Sequence, residues 1–108
     1  MLRFNFWVRK SFLQRGTHPI TVPRSQVIYR EMRESNLHQG PLTVIYPHGE
    51  KLQAHMYGGA TKQRGNYYQI RHFPCSGKFP SYLKASQRLL IILLSIQEKP
   101  HAILEFQE

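Results

Sequence analysis

Between Leu42 and Phe73 the side chains alternate with a period of two, and that pattern leaves few folds open. Leu42-Thr-Val-Ile-Tyr46 is β-branched and aromatic, which suits a strand, and Pro47-His-Gly-Glu50 is turn chemistry. Lys51 to Tyr57 then sets Leu52, Ala54 and Met56 on one face against Gln53, His55 and Tyr57 on the other. These two runs make a hairpin. Gly58 to Gly65 reads as a flexible basic loop. Asn66 to Phe73 reads as a third strand, with Tyr68, Ile70 and His72 opposite Tyr67, Gln69, Arg71 and Phe73.

After a loop at Pro74-Cys-Ser-Gly-Lys78, Pro80 stands where a first helical residue is welcome. The spacing of Leu83, Leu90, Leu94 and Gln97 predicts a helix from Pro80 to about Gln97. Ile91, Ile92 and Leu93 make it apolar nearly all round, so it is expected to be buried on more than one side. Lys99-Pro100 ends it, and His101 to Phe106 gives a last short strand. The expected fold class is α+β: a small antiparallel sheet in the order β-β-β-α-β, one buried apolar helix, and an extended basic N-terminal arm.

That division puts residues 1–40 in the arm and residues 41–108 in a small α+β domain. The first 30 residues carry six cations (Arg3, Arg9, Lys10, Arg15, Arg24 and Arg30) and no acid. Phe4, Val8 and Phe12 are four apart, so residues 1–20 are expected to form an amphipathic helix stopped by Gly16 and Pro19. Residues 19–28, with two prolines, read as extended chain, and residues 29–40 as a short helical turn or a loop. An acid-free, Arg-rich start suits a mitochondrial import signal and equally an RNA-binding arm.

Over the whole chain Lys and Arg outnumber acids 15 to 6, the net charge is +9, and every acid is Glu. Such an excess in 108 residues favours an anionic partner, above all nucleic acid. Cys75 is the single cysteine, which rules out an intramolecular disulfide. No stretch approaches the ~20 apolar residues of a transmembrane helix.

Catalytic chemistry finds little support. Cys75 has no histidine at a recognised spacing, and histidines stand scattered at 18, 38, 48, 55, 72 and 101. No Cys/His pairing suits a structural zinc, so no metal or cofactor is expected. The absence of Asp and of a phosphate-binding glycine-rich loop argues against a nuclease, a kinase or an NTPase. Contacts to phosphate and to bases are left. From Tyr57 to Tyr68 glycines, cations and aromatics interleave: Lys62 and Arg64 suit phosphates, and Tyr57 or Tyr67 suits base stacking. The candidate RNA-binding set is Arg3, Arg9, Lys10, Arg15, Arg24, Arg30, Arg33, Lys62, Arg64 and Arg71.

By general type the chain resembles a mitochondrial ribosomal protein: small, basic and Asp-poor, with an import-like extension. Val22-Pro23-Arg24-Ser25, followed by Leu42-Thr43-Val44-Ile45 and Gly49-Glu50, is similar to the opening of the Img2-like family of the mitochondrial large subunit. Gly58 to Phe73 has no counterpart in that pattern, and Glu50 replaces its Asp. The resemblance implies a non-catalytic structural component of the mitochondrial ribosome in the matrix, with rRNA and neighbouring ribosomal proteins as partners and no small-molecule substrate. The alternatives are an accessory subunit of an inner-membrane respiratory or ATP-synthase complex, and a small basic nucleic-acid-binding factor.

Overall fold

Seven strands form one continuous sheet that curls into a nearly closed barrel. The computed structural model describes residues 1–14, 19–73 and 79–107. The strands are β1 (Leu2–Trp7), β2 (Ile20–Thr21), β3 (Gly40–Ile45), β4 (Lys51–Thr61), β5 (Gly65–His72), β6 (Arg88–Ile96) and β7 (Lys99–Gln107). Two short helices, α1 (Lys10–Gln14) and α2 (Gln26–Glu34), lie between the first strands. The order across the sheet is β1-β6-β7-β3-β4-β5-β2. Neighbours are antiparallel except β3 and β7, which pair parallel with Val44 opposite Ala102.

The three period-two runs behave as their alternation requires. Leu52, Ala54, Met56 and Ile70 point inward, beside Leu42 and Val44 of β3. His72 is buried as well, and its Nε2 lies 2.8 Å from the hydroxyl of Tyr46, itself fully buried. The supposed loop from Gly58 to Gly65 belongs mostly to the hairpin, since β4 and β5 stay paired from Ala54↔His72 out to Thr61↔Gly65.

The apolar segment near the C-terminus is a strand and not a helix. Leu89, Ile91 and Leu93 face the interior, while Leu90, Ile92 and Leu94 lie half-buried on the outside. A contiguous apolar run has no period of its own, so helix and buried strand are equivalent until neighbours choose between them. Here both edges are taken: β1 pairs along one side and β7 along the other. The β6–β7 hairpin turns through Gln97 and Glu98, at φ 52° and 64°. A two-residue turn with both φ positive normally carries Asn-Gly or Asp-Gly. Gln-Glu gives no such signal, and the hairpin was therefore hidden in the sequence.

The extended basic arm is overturned too. Residues 2–7 are an integral strand registered on β6, with Phe4 opposite Ile91. Leu2, Phe4, Phe6 and Val8 enter the core. Phe4 and Val8 of the supposed helical stripe also fit a period of two with Leu2 and Phe6, and the free edge of β6 selects the strand. Helix α1 then brings Phe12 inward, edge-on to Phe6 and Phe79 at 5.1 and 5.4 Å. Residues 29–40, read as a short helical turn or a loop, hold most of helix α2 and its cap, and the helix begins at Gln26, inside the stretch expected to be extended. Ser25 caps α2 by accepting from the Ile28 N–H at 3.3 Å. At the other end Asn36 takes φ 56°, and the N–H groups of Asn36 and Leu37 donate to the carbonyls of Arg33 and Met32. That pair of hydrogen bonds is a Schellman closure, and it turns Leu37 into the core.

Deleting a buried aromatic costs about 3–5 kcal/mol, a large part of the ~5–15 kcal/mol that holds a domain together. Phe4→Ala is expected to lose that much in urea unfolding. A loss below about 0.5 kcal/mol, the size expected at an exposed position, would return residues 1–8 to an unpacked arm.

Candidate functional site

The barrel stays open between its two edge strands, and prolines account for it. β2 pairs with β5 only at Ile20↔Ile70 and Thr21↔Gln69, extended by the Val22 N–H donating to the Tyr68 carbonyl. By the phase of that bond Ile20 and Val22 turn their amides to β5, while Pro19, Thr21 and Pro23 face the open edge, where the two prolines have no N–H to offer a closing strand. On the far side β1 ends the sheet. Helix α2 bridges the edges, packing near β1 while Tyr29 meets Tyr68 of β5 edge-on at 4.9 Å. Next to α1, between β1 and β2, a cleft of about 600 Å3 remains, lined among others by Asn5, Trp7, Arg9, Thr21, Gln69 and Arg71.

The outer face of the β4–β5 hairpin continues from this cleft. Arg71 lies over the ring of Tyr57 at 3.8 Å, and its Nε and Nη2 donate to Gln69 Oε1 at 3.1 and 3.0 Å. Tyr57 and Tyr67 sit side by side, with ring centres 6.1 Å apart. Tyr67 lies across Gly59, where a Cβ would come within 2.5 Å of its ring, so the glycine is there for the tyrosine. Arg24 reaches over from the chain before α2. Its Nη1 donates to the carbonyls of Arg64 and Asn66 at 2.7 and 3.0 Å, and its guanidinium lies 5.9 Å from the centre of the Tyr67 ring. Arg24, Arg64, Tyr67 and Gln69 line a second cleft, which adjoins the first at the shared Gln69. No carboxylate lines either cleft among the described residues.

The candidate cations therefore divide. Arg9 and Arg71 line the first cleft, Arg24 and Arg64 line the second, and Lys62 is exposed near the tip of the hairpin. Arg3 sits on the outer face of β1 opposite Ile92, and Lys10 is exposed on α1. Arg30 and Arg33 are exposed on α2 among Glu31 and Glu34, which offset their charge. Arg15 lies outside the described residues, as does Cys75. Trp7 was missed. It is 54% exposed, with Arg88 at 5.4 Å from its ring. The signal existed: in a strand, Arg3, Asn5 and Trp7 share the outward face.

A second constellation has the residue types of an acid-base site but the bonding of a clamp. Tyr82 donates its hydroxyl proton to Glu50 Oε1 at 2.7 Å and accepts from the His48 N–H at 3.1 Å, while the His48 and Tyr82 rings stack at 3.9 Å. Burial pushes the Tyr82 hydroxyl up to about 12; the His48 N–H opposes this and the Glu50 carboxylate adds to it. At Glu50, partial desolvation pushes the carboxyl up, but the Tyr82 hydroxyl, backbone N–H donors and His48 outweigh it and leave the group below its usual range. A phenol held protonated and a carboxylate held ionised are poor proton carriers near neutrality. The cluster ties the segment before β6 to the β3–β4 turn. Among the described residues no group of three or more His, Cys, Asp and Glu could hold a metal, and no helix is long and apolar enough to cross a membrane.

No family model, curated protein or solved structure matches this chain.

Since the folded pKa of Tyr82 lies above that of a free tyrosine, its contribution to stability is complete below pH 10 and is lost between pH 10 and about 12. Melting temperatures measured from pH 9 to 12 should fall more steeply for the wild type than for Tyr82→Phe. Parallel curves would remove Tyr82 from the clamp.

Proposed function

We propose that this protein is a non-catalytic RNA-binding component of a ribonucleoprotein. The observation that carries the reading is a pair of adjoining clefts, one lined by Trp7, Arg9 and Arg71 and the other by Arg24, Arg64 and Tyr67, which no carboxylate lines among the described residues. Guanidinium groups neutralise phosphates, and exposed aromatic faces accept bases of any identity. Such contacts position a protein on RNA without reading sequence.

An apolar stripe on the opposite part of the surface supports a protein neighbour in the same assembly. Leu90, Ile92 and Leu94 of β6, Ile103 of β7 and Ile45 of β3 lie half-buried on the outer face, with Ile103 registered against both Ile92 and Ile45. The mitochondrial ribosome is the assembly we propose, on the strength of the acid-free N-terminal charge and the Img2-like fragments. An integral β1 is compatible with an import signal that stays in the mature chain.

Four arginines on a single strand give a salt dependence, log K against log salt, of slope about −3. Fluorescence anisotropy with a labelled single-stranded RNA should return that slope, and Arg64→Gln should reduce its magnitude by about 0.7. Salt-insensitive binding, or none, would end the RNA reading. In a gradient of mitochondrial lysate the protein should travel with a ribosomal subunit and disperse after RNase. Migration with a membrane complex indifferent to RNase would favour an accessory subunit instead.

A further inference from the structure

The opening between β1 and β2 offers more than charge. Val8 donates its N–H to the Gln87 carbonyl at 2.8 Å, which fixes the phase of the β1–β6 ladder. In an antiparallel ladder alternate residues bond inward, so the amide and carbonyl groups of Asn5 and Trp7 turn away from β6 into the opening. Thr21, Gln69 and Arg71 face them from the other side. The lining therefore holds two guanidinium groups, neutral amide and hydroxyl groups, and one large exposed ring. At about 600 Å3 the cleft falls within the ~300–1,000 Å3 of small-molecule sites.

Resting on the RNA reading, we infer that this cleft receives one unstacked nucleotide of a single strand, its phosphate at Arg9 and Arg71 and its base against Trp7. Single-stranded RNA fits because each nucleotide presents an anion and a flat ring a few ångströms apart, and both kinds of partner line the cleft. A duplex presents phosphates but keeps its bases stacked inside, so it can touch the arginines and not the indole. An acidic peptide satisfies the arginines and leaves the indole unused.

Trp7 is the only tryptophan, and because it also borders a second cleft beside Arg88, its emission is assigned to the proposed site only where Arg9→Gln shifts it. The full chain is titrated with a fluorescently labelled oligouridine 12-mer, a blunt RNA duplex and an oligoglutamate 12-mer, with anisotropy of the label and indole emission read together. The 12-mer is expected to quench Trp7 with the midpoint seen in anisotropy, and the duplex to bind without quenching. Trp7→Leu should weaken the 12-mer about tenfold and the duplex less than twofold. Arg9→Gln, which keeps the reporter and alters an exposed side chain, should shift the quench and the anisotropy midpoint together.

Binding of the 12-mer without quenching, unchanged in both variants, overturns the cleft and leaves the RNA reading standing on the hairpin face. Equal quenching by oligoglutamate overturns the nucleotide assignment in favour of any polyanion. Failure of both RNAs to bind overturns the RNA reading and the cleft together.

Discussion

The ladder between Leu2–Trp7 and Arg88–Ile96 is the contact on which the rest of this molecule depends. It covers the edge of the most apolar strand and delivers Leu2, Phe4, Phe6 and Val8 to the interior. It also carries the sheet round until β1 stands across from β2. Without it β6 would expose an apolar edge, the kind of surface that pairs with other chains. The small size of the domain makes this contribution weigh more, because little other core exists to compensate.

The clefts follow from the same closure and from its incompleteness. Pro19 and Pro23 leave the outer edge of β2 without an N–H on either side of Thr21, so the barrel stops short of joining its ends. Alternation then assigns the residues beside the opening: the inward set is apolar and the outward set holds Asn5, Trp7, Gln69 and Arg71. On the β2 side Arg24 bonds to the backbone of the hairpin tip, with Arg64 and Tyr67 beside it. Charge that is spread along the sequence becomes one surface in this way, while the cations of α2 remain among glutamates.

Much of the sheet was legible where side chains alternate. Leu52, Ala54 and Met56 are as inward as their spacing says, and so are Ile70 and His72. The alternation fails as a guide at two places. From Leu89 to Leu94 every side chain is apolar, so period carries no information, and the Gln97-Glu98 turn lacks the residues that mark a hairpin. In the N-terminal segment Phe4, Val8 and Phe12 fit a helix while Leu2, Phe4, Phe6 and Val8 fit a strand, and charge drew attention away from the second pattern. Of the candidate site, the arginines and tyrosines were legible as types. Their division into a cleft set and a scattered set was not, because that depends on which strands are neighbours.

The sequence alone determined a small, strongly basic chain, three alternating strands, and a pool of arginines and aromatics. These are local or additive properties, set by composition and by side chains a few residues apart. Tertiary structure decided that the apolar segment is a strand, that the first residues are its partner, and that Trp7 and Arg9 face Arg71 across an opening. Each of those outcomes joins segments some sixty to ninety residues apart. An apolar run takes the conformation that pairs its backbone and buries its faces, and only the assembled sheet supplies both.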